Sequence, residues 1–315
     1  MKIVFLSRYQ KTLNRGAETF IKELSSRLSS DLEIEIFSGQ EADSLSKIIA
    51  GRFDIVVPIN GRFQALKASV GRLWGSYKTL ITGHSGIGRD DIWNLAISKP
   101  DVFVCLTDYQ LEWAKKFAWG SKLVKISNGV DLEKFRPEGE RYKFNLIGPI
   151  VLSVGALVWY KHHERTIEAV SKLKNVSLVI VGEGEQKEYL EKLGHQKLGQ
   201  KFKLLKADYD ELPKIYRACD LFVLPSWGRE AFGIVYLEAM ASNLAIVAPD
   251  DPPRREIIGK GGILTNTANS DNYSQAIQNA LDLNWANVPR KQAEKFSWDE
   301  ISKSYEKVFK DLGNK

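Results

Sequence analysis

The sequence predicts an α/β protein made of two similar halves, each a parallel sheet covered by helices, and three observations carry that expectation. Its 315 residues are enough for two hydrophobic cores of ordinary size. Short apolar strand-like runs alternate with helical patterns, as a parallel sheet covered on both faces requires. The alternation restarts at Ile150 after residues 136–149, a stretch holding Pro137, Gly139, Gly148 and several charges that reads as a linker. The expected domains are therefore 1–142, 143–296 and a C-terminal helix over 297–315.

In the first half, strands are read at residues 2–7, 33–37, 55–59, 79–82, 102–106 and 123–126. Helices fall between them, most clearly over 17–28, where Phe20, Ile21, Leu24 and Leu28 share one face. In the second half, strands are read at 150–154, 177–181, 202–205, 220–224 and 245–248. Helices lie at 166–174, 186–193, 212–218 and 234–241. Phe296-Ser-Trp-Asp299 before the pattern of residues 301–312 reads as a capped amphipathic helix. A pair of similar halves with a hinge makes the cleft between them the default ligand site.

Composition excludes several classes. Hydrophobic residues make up 43% and charged residues 27%, which is globular usage rather than that of a disordered chain. No apolar run approaches the roughly 18 residues of a membrane helix, and residues 3–6 are too short for a secretory signal. A cytoplasmic protein is expected, with peripheral contact at the inner face of the membrane as a further reading. Cys105 and Cys219 sit in apolar runs and read as small buried hydrophobes, and the four histidines and two cysteines show no metal-ligand spacing. Neither a dinucleotide fingerprint nor a P-loop occurs, and no basic-aromatic motif of a nucleic-acid reader is present. The net charge of +6 comes mostly from the first half. There residues 61–78 mix Arg62, Lys67, Arg72 and Lys78 with Phe63, Leu66, Val70, Leu73 and Trp74. That stretch reads either as a basic amphipathic helix for anionic lipid or as a half-buried domain helix with a solvated face.

The most informative feature is a pair of acids. Glu230 and Glu238 stand eight positions apart across a loop that runs into a helix. Glu230 is expected to stand free on the loop, and Glu238 about one turn inside the helix. The amides around Phe232, Gly233, Ile234 and Val235 should point outward from the helix N-terminus, where they attract phosphate or polarise sugar hydroxyls. A carboxylate accepts hydrogen bonds from a vicinal diol such as that of ribose.

The segment Ser226-Trp-Gly-Arg-Glu-Ala-Phe-Gly-Ile-Val-Tyr-Leu-Glu-Ala-Met240 resembles the E-x7-E segment of retaining glycosyltransferases with the GT-B fold, of the glycosyltransferase family 4 type. Asn128-Gly-Val-Asp131 is similar to the signature that precedes the family's linker. The resemblance implies two Rossmann-like domains facing across a cleft, with the C-terminal helix crossing back to the N-terminal domain. It implies an acceptor domain over 1–142 and a nucleotide-sugar donor domain over 143–296. Its activity would be transfer of a hexose-type sugar to a glycan or lipid-linked acceptor, by same-face attack, with no metal and no cofactor beyond the donor.

Carried over residue by residue, the resemblance assigns Glu238 to the ribose hydroxyls. Glu230, with the Phe232 and Gly233 amides, goes to the transferred sugar, and so does His84 in Thr82-Gly-His-Ser-Gly86. Lys161 matches the lysine that holds the donor phosphates, and Gly16 matches a glycine of the turn before the first helix. Two departures stand out: Arg15 replaces the first glycine of that turn, and Ala156 stands where the family has a phosphate-binding arginine. Arg165, Arg229 and Arg254 are candidates to replace that cation. His162 and His163 lie beside Lys161 on the same edge. The Pro252-Pro253 pair is expected to stiffen a turn and remove two amide donors. Rival readings are a sugar-nucleotide epimerase or phosphorylase on the same plan, and a non-catalytic protein that binds nucleotide sugars.

Overall fold

A computed structural model describes residues 1–10, 16–59, 61–228 and 230–313. The readings that concern Arg15 and Arg229 lie outside the described residues. The chain divides into two compact units, Met1–Gly129 with Trp298–Lys315, and Val130–Ser297.

In the first unit, β1 (Lys2–Leu6), β2 (Glu33–Phe37), β3 (Ile55–Pro58), β4 (Lys78–Thr82), β5 (Val102–Cys105) and β6 (Lys122–Lys125) form a parallel sheet of order β2-β1-β3-β4-β5-β6. Its helices are α1 (Gly16–Ser25), α2 (Leu45–Ala50), α3 (Arg62–Gly71), α4 (Arg89–Trp93), α5 (Asp108–Ala114) and the last helix of the chain, Trp298–Gly313. Successive side chains of a strand point to opposite faces, and β1 shows both faces covered. Ile3 and Phe5 pack with Phe20, Leu24, Tyr305 and Phe309, while Val4 and Leu6 pack with Ile48, Phe53 and Val56. The last helix thus supplies a wall of the first unit's core.

In the second unit, β7 (Ile150–Val154), β8 (Ser177–Val181), β9 (Phe202–Leu205), β10 (Leu221–Val223), β11 (Ala245–Pro249) and β12 (Gly262–Thr265) form a parallel sheet of order β12-β11-β10-β7-β8-β9. Its helices are α6 (His163–Ser171), α7 (Lys187–Leu198), α8 (Leu212–Arg217), α9 (Ile234–Ala241), α10 (Pro252–Ile258), α11 (Ser270–Asp282) and α12 (Val288–Glu294). With these introduced, the last helix is α13. Helix α6 packs with α7 and α11, whereas α8, α10 and α12 pack with α9. The order of strands reverses between β7 and β10, and parallel α/β sheets bind ligands in the crevice beyond the strand ends at such a reversal.

Residues 136–149 form no helix or strand, yet they belong to the second unit. The Arg217 Nε donates to Glu140 O at 2.7 Å, Tyr142 N to Lys214 O at 2.9 Å, and Ser177 Oγ to Ile147 O at 2.7 Å. These bonds from its backbone to α8 and β8 place this stretch with the second compact unit.

Four elements lie outside the expected set: β12, α10, α11 and α12. β12 is a four-residue edge strand, partly buried along its length, too short to show a period. Pro252 and Pro253 open α10, where the missing N–H groups would have no intrahelical partner anyway, and the Asp251 side chain caps the Arg254 amide. The proline pair therefore starts a helix rather than stiffening a turn.

Candidate active site

The loop leaving β7 and the loop leaving β10 flank the reversal point of the second sheet, and local backbone constraints shape both. Gly155 N donates to Val181 O, Leu157 N to Glu183 O and Gln186 N to Leu157 O. A Cβ on Gly182 would collide with the Gly155 carbonyl, so a glycine there lets the two backbones touch. The chain then turns through a 3-10 segment, Trp159–Lys161, and Trp227 N donates to Tyr160 O at 3.0 Å. That bond ties one loop to the other.

His163 anchors the first loop from below. A carbonyl only accepts, so Nε2 carries the proton donated to Ala156 O at 3.3 Å, and Nδ1 accepts from Ser153 Oγ at 3.1 Å. The ring is fully buried, which corrects the expectation that it lines the edge beside Lys161. Burial lowers its pKa to about 4. A histidine whose folded pKa lies below its unfolded value of about 6.5 contributes stability that is present above 6.5 and lost as pH falls through the folded value. His163→Gln is therefore expected to reduce the loss of stability between pH 6.5 and 4 by about 1–3 kcal/mol, read as urea midpoints across that range. Parallel curves for wild type and variant would refute this.

The tertiary structure brings Lys161 and Glu230 together as an ion pair. Their side chains are 14% and 19% exposed, so Glu230 does not stand free on its loop as expected. Burial pushes the Glu230 carboxyl up, but the Lys161 charge and hydrogen bond, with Arg254 nearby, more than reverse this and hold it below the usual carboxylate range. The expectation failed because the partner sits 69 positions away in the chain.

Beyond Glu230 the loop enters α9. Phe232 is buried against the Phe296 ring, 6.1 Å away and nearly perpendicular. Gly233 caps the helix at φ +83°, and a Cβ there would strike the Tyr236 ring at 2.7 Å. Ile234 and Val235 begin the helix, and among the described residues none accepts a hydrogen bond from the amides of residues 232–235. Glu238 lies one turn in, as read, but is 3% exposed, and its Oε2 accepts from the Tyr216 hydroxyl at 2.9 Å. Burial and the neighbouring Glu238 charge push the Tyr216 hydroxyl well above its ordinary value.

Arg254, a candidate for the missing cation at Ala156, is committed elsewhere. It is 2% exposed, and its Nη2 donates to Ser226 O, Ser226 Oγ and Trp227 O at 2.9–3.1 Å. Its Nε donates to Tyr236 OH at 3.2 Å, that hydroxyl donates to Leu224 O, and Nη1 pairs with Asp251. Arg254 therefore staples the β10 loop to α9 and α10. Its role was not readable from the sequence, since its partners come from three separate segments. Tyr216 and Tyr236 escaped for the same reason.

Arg165, in the first turn of α6, lines a cavity of about 560 Å³ together with His162, Trp227, Asp250 and residues 265–268. None of Glu230, Phe232, Gly233, Ile234, Val235 or Glu238 lines it.

In the first unit, Gly16 opens α1. The His84 ring packs edge-on against Phe20 at 4.5 Å, its Nε2 is buried without a partner among the described residues, and burial lowers its pKa to about 4. The preceding Gly83 is held by Gln110, whose Nε2 donates to Gly83 O at 2.8 Å and to Asp91 at 3.0 Å. The Asp91 carboxyl is fully buried and pushed up to about 7 by burial.

Residues 137–297 match the family model described as glycosyl transferases group 1. An uncharacterized glycosyltransferase of Methanocaldococcus jannaschii is 35% identical over 176 residues, covering 51% of this chain and 44% of that protein. A phosphatidyl-myo-inositol mannosyltransferase of Mycolicibacterium smegmatis is 27% identical over 221 residues, covering 66% and 57%. The chain spans about half the length of these curated relatives. Among solved structures, sucrose-phosphate synthase from Thermosynechococcus elongatus superposes with a TM-score of 0.86 at 17% identity over 99% of both chains. Anabaena HepE in complex with UDP-glucose gives 0.78 at 18% identity, over 99% of this chain and all of that one. Likeness at such identities shows the fold, and the family model spans just over half of the sequence. The chain belongs to the group 1 glycosyl transferases and has their two-domain α/β GT-B fold.

Proposed function

We propose that this protein moves a hexose-type sugar from a nucleoside-diphosphate sugar to a glycan or lipid-linked acceptor, with retention of configuration and without a metal. The observation that carries this reading is the meeting of Lys161 and Glu230 beside the N-terminus of α9, at the strand-order reversal of the second sheet. As the bond to the leaving diphosphate breaks, negative charge grows on it. Lys161 and the amides leading into α9 would meet that charge. Taking Lys161 for phosphate releases the Glu230 carboxylate to the sugar hydroxyls, and Glu238 is assigned to the ribose. The roles of Gly16 and His84, in the first unit, rest on the resemblance.

Two comparisons support the ligand class. HepE was solved with UDP-glucose, and the mycobacterial relatives are mannosyltransferases that act on phosphatidyl-myo-inositol. A cytoplasmic enzyme in peripheral contact with an anionic membrane is part of the proposal. Its support is the basic helix α3, which leaves Phe63 63% exposed and is followed by Leu73 and Trp74, 78% and 67% exposed. No described helix is long and apolar enough to cross a membrane.

Thermal shift with nucleoside diphosphates tests the donor assignment. A ligand at 100 times its dissociation constant adds about 2.7 kcal/mol, several degrees in Tm for a protein of this size. Glu238→Ala is expected to lose most of that shift. Tyr216→Phe, which removes the hydroxyl and keeps the carboxylate, is expected to retain it. Equal shifts in wild type and folded Glu238→Ala would remove the ribose assignment. Ala156 in place of an arginine favours a second reading, binding without turnover. Release of nucleoside diphosphate from a nucleotide sugar in the presence of an acceptor separates the two.

A further inference from the structure

We propose that the cavity over the ends of β10, β11 and β12 is a saccharide-binding subsite, separate from the donor site, that takes a neutral pyranose ring against Trp227. Three properties point to this ligand. The walls come from loops at the carboxyl ends of parallel strands, where α/β sheets bind small molecules. The volume, about 560 Å³, lies within the usual range for small-molecule sites. The lining interleaves donors and acceptors, Thr265, Asn266, Thr267 and Asp250 among them, as the hydroxyls of a sugar demand.

An aromatic platform stands beside these polar groups. Trp227 lines the cavity and sits edge-on to Trp159, with ring centroids 5.2 Å apart, and 6.4 Å from the Tyr160 ring. Trp159 is 52% exposed and Tyr160 39% exposed. Large apolar rings gathered at a surface mark a recognition site, and an aromatic face packs against the C–H face of a pyranose while its hydroxyls reach the polar rim.

The charge pattern argues against a phosphate-bearing ligand. Arg165 has the Glu164 carboxylate at 4.0 Å, and the Asp250 carboxylate lines the same space while bonded to Arg255. The lining thus holds one guanidinium, Arg165, against one carboxylate, Asp250, each already paired, and offers a dianion no excess of fixed positive charge. Neither Lys161 nor any of the proposed donor-binding residues from Glu230 to Glu238 lines the cavity; Arg165, a candidate replacement for the cation missing at Ala156, does line it and is read as part of the subsite. The ligand is a sugar unit either of the acceptor glycan or of a free oligosaccharide that acts as effector.

The test is retention of the full chain, without nucleotide, on an array of glucose-, mannose-, galactose- and hexosamine-terminated oligosaccharides. Wild type is expected to retain at least one class. Trp227→Ala and Asn266→Trp, the latter placing a bulky side chain at an exposed lining position, are each expected to weaken retention at least tenfold. Circular dichroism and the nucleoside diphosphate thermal shift report folding and the donor site independently. Glu238→Ala should hold the glycan while losing the nucleotide shift, so the two assignments fail separately. Adding nucleotide sugar distinguishes the sources: an acceptor glycan is elongated and an effector is recovered unchanged. A wild type that retains no glycan, or folded variants that retain it equally well, would overturn the proposal.

Discussion

Replacing Lys161 by methionine is expected to lower sugar transfer about 10²–10³-fold, the loss seen when one charge-stabilising donor is removed from a reacting centre. The same change should reduce stability, because it strands a mostly buried carboxylate. Breaking a fully buried pair costs about 3–5 kcal/mol. With 14% and 19% of the two side chains exposed, solvent screens part of this, and about 1–3 kcal/mol is the expected loss. The double variant Lys161→Met with Glu230→Gln removes both charges. It should recover most of the stability and none of the activity, which distinguishes a functional pair from a merely structural one.

The pH dependence of that effect has a definite sign. In wild type, Lys161 holds the Glu230 carboxyl below its ordinary value despite burial. The pair's contribution is therefore present above the unfolded carboxylate value, about 4.3, and is lost as pH falls through the lower folded value. In Lys161→Met only Arg254 and the Ser226 hydrogen bond remain to oppose burial, the carboxyl moves up, and charging it destabilises the fold as pH rises. Urea midpoints measured from pH 4 to 8 should show the gap between wild type and variant widening with pH. A constant gap would mean that Glu230 is not the group responsible.

Arg254→Leu is expected to be the most destabilising single change at the site. The guanidinium is 2% exposed and engages Ser226, Trp227, Tyr236 and Asp251. Burial disfavours its charge, and the Tyr236 and Asp251 interactions more than offset this, so its pKa is raised. Removing it leaves the Asp251 carboxylate without that partner and several buried acceptors without a donor, which together cost about 3–5 kcal/mol. Arg254→Lys should recover only part of this, since an ammonium cannot fork to three segments at once. Chemical denaturation of the three proteins measures it. Arg254→Leu within 1 kcal/mol of wild type, roughly the scale of an ordinary surface change, would mean that the staple contributes little.

The Lys161 and Arg254 arrangements also show where sequence reading stops. Five elements, at 33–37, 150–154, 177–181, 202–205 and 234–241, have the same bounds in the sequence reading and in the structure. The remaining expected elements differ by a few residues at their ends. Apolar periodicity and the glycines, prolines and caps that interrupt it act within about ten residues, so they are legible without any knowledge of the rest of the chain. β12 was not legible because its four partly buried residues carry no period. The start of α10 was masked by two prolines that break helices in the interior and favour them at the first turn.

By itself, then, the chain determined its two α/β halves, the loop-to-helix passage from Glu230 to Glu238, and the placing of Lys161 just past a strand end. Each is a matter of local backbone preference and of which face of an element is apolar. Only the tertiary structure decided which groups meet. It paired Lys161 with Glu230, turned Glu238 toward Tyr216, drew Arg254 inward as a staple and set Arg165 at the rim of a separate cavity. Such pairings join segments tens of residues apart. Side-chain charge and hydrogen-bonding capacity permit many of them, and the packing of strands and helices selects one.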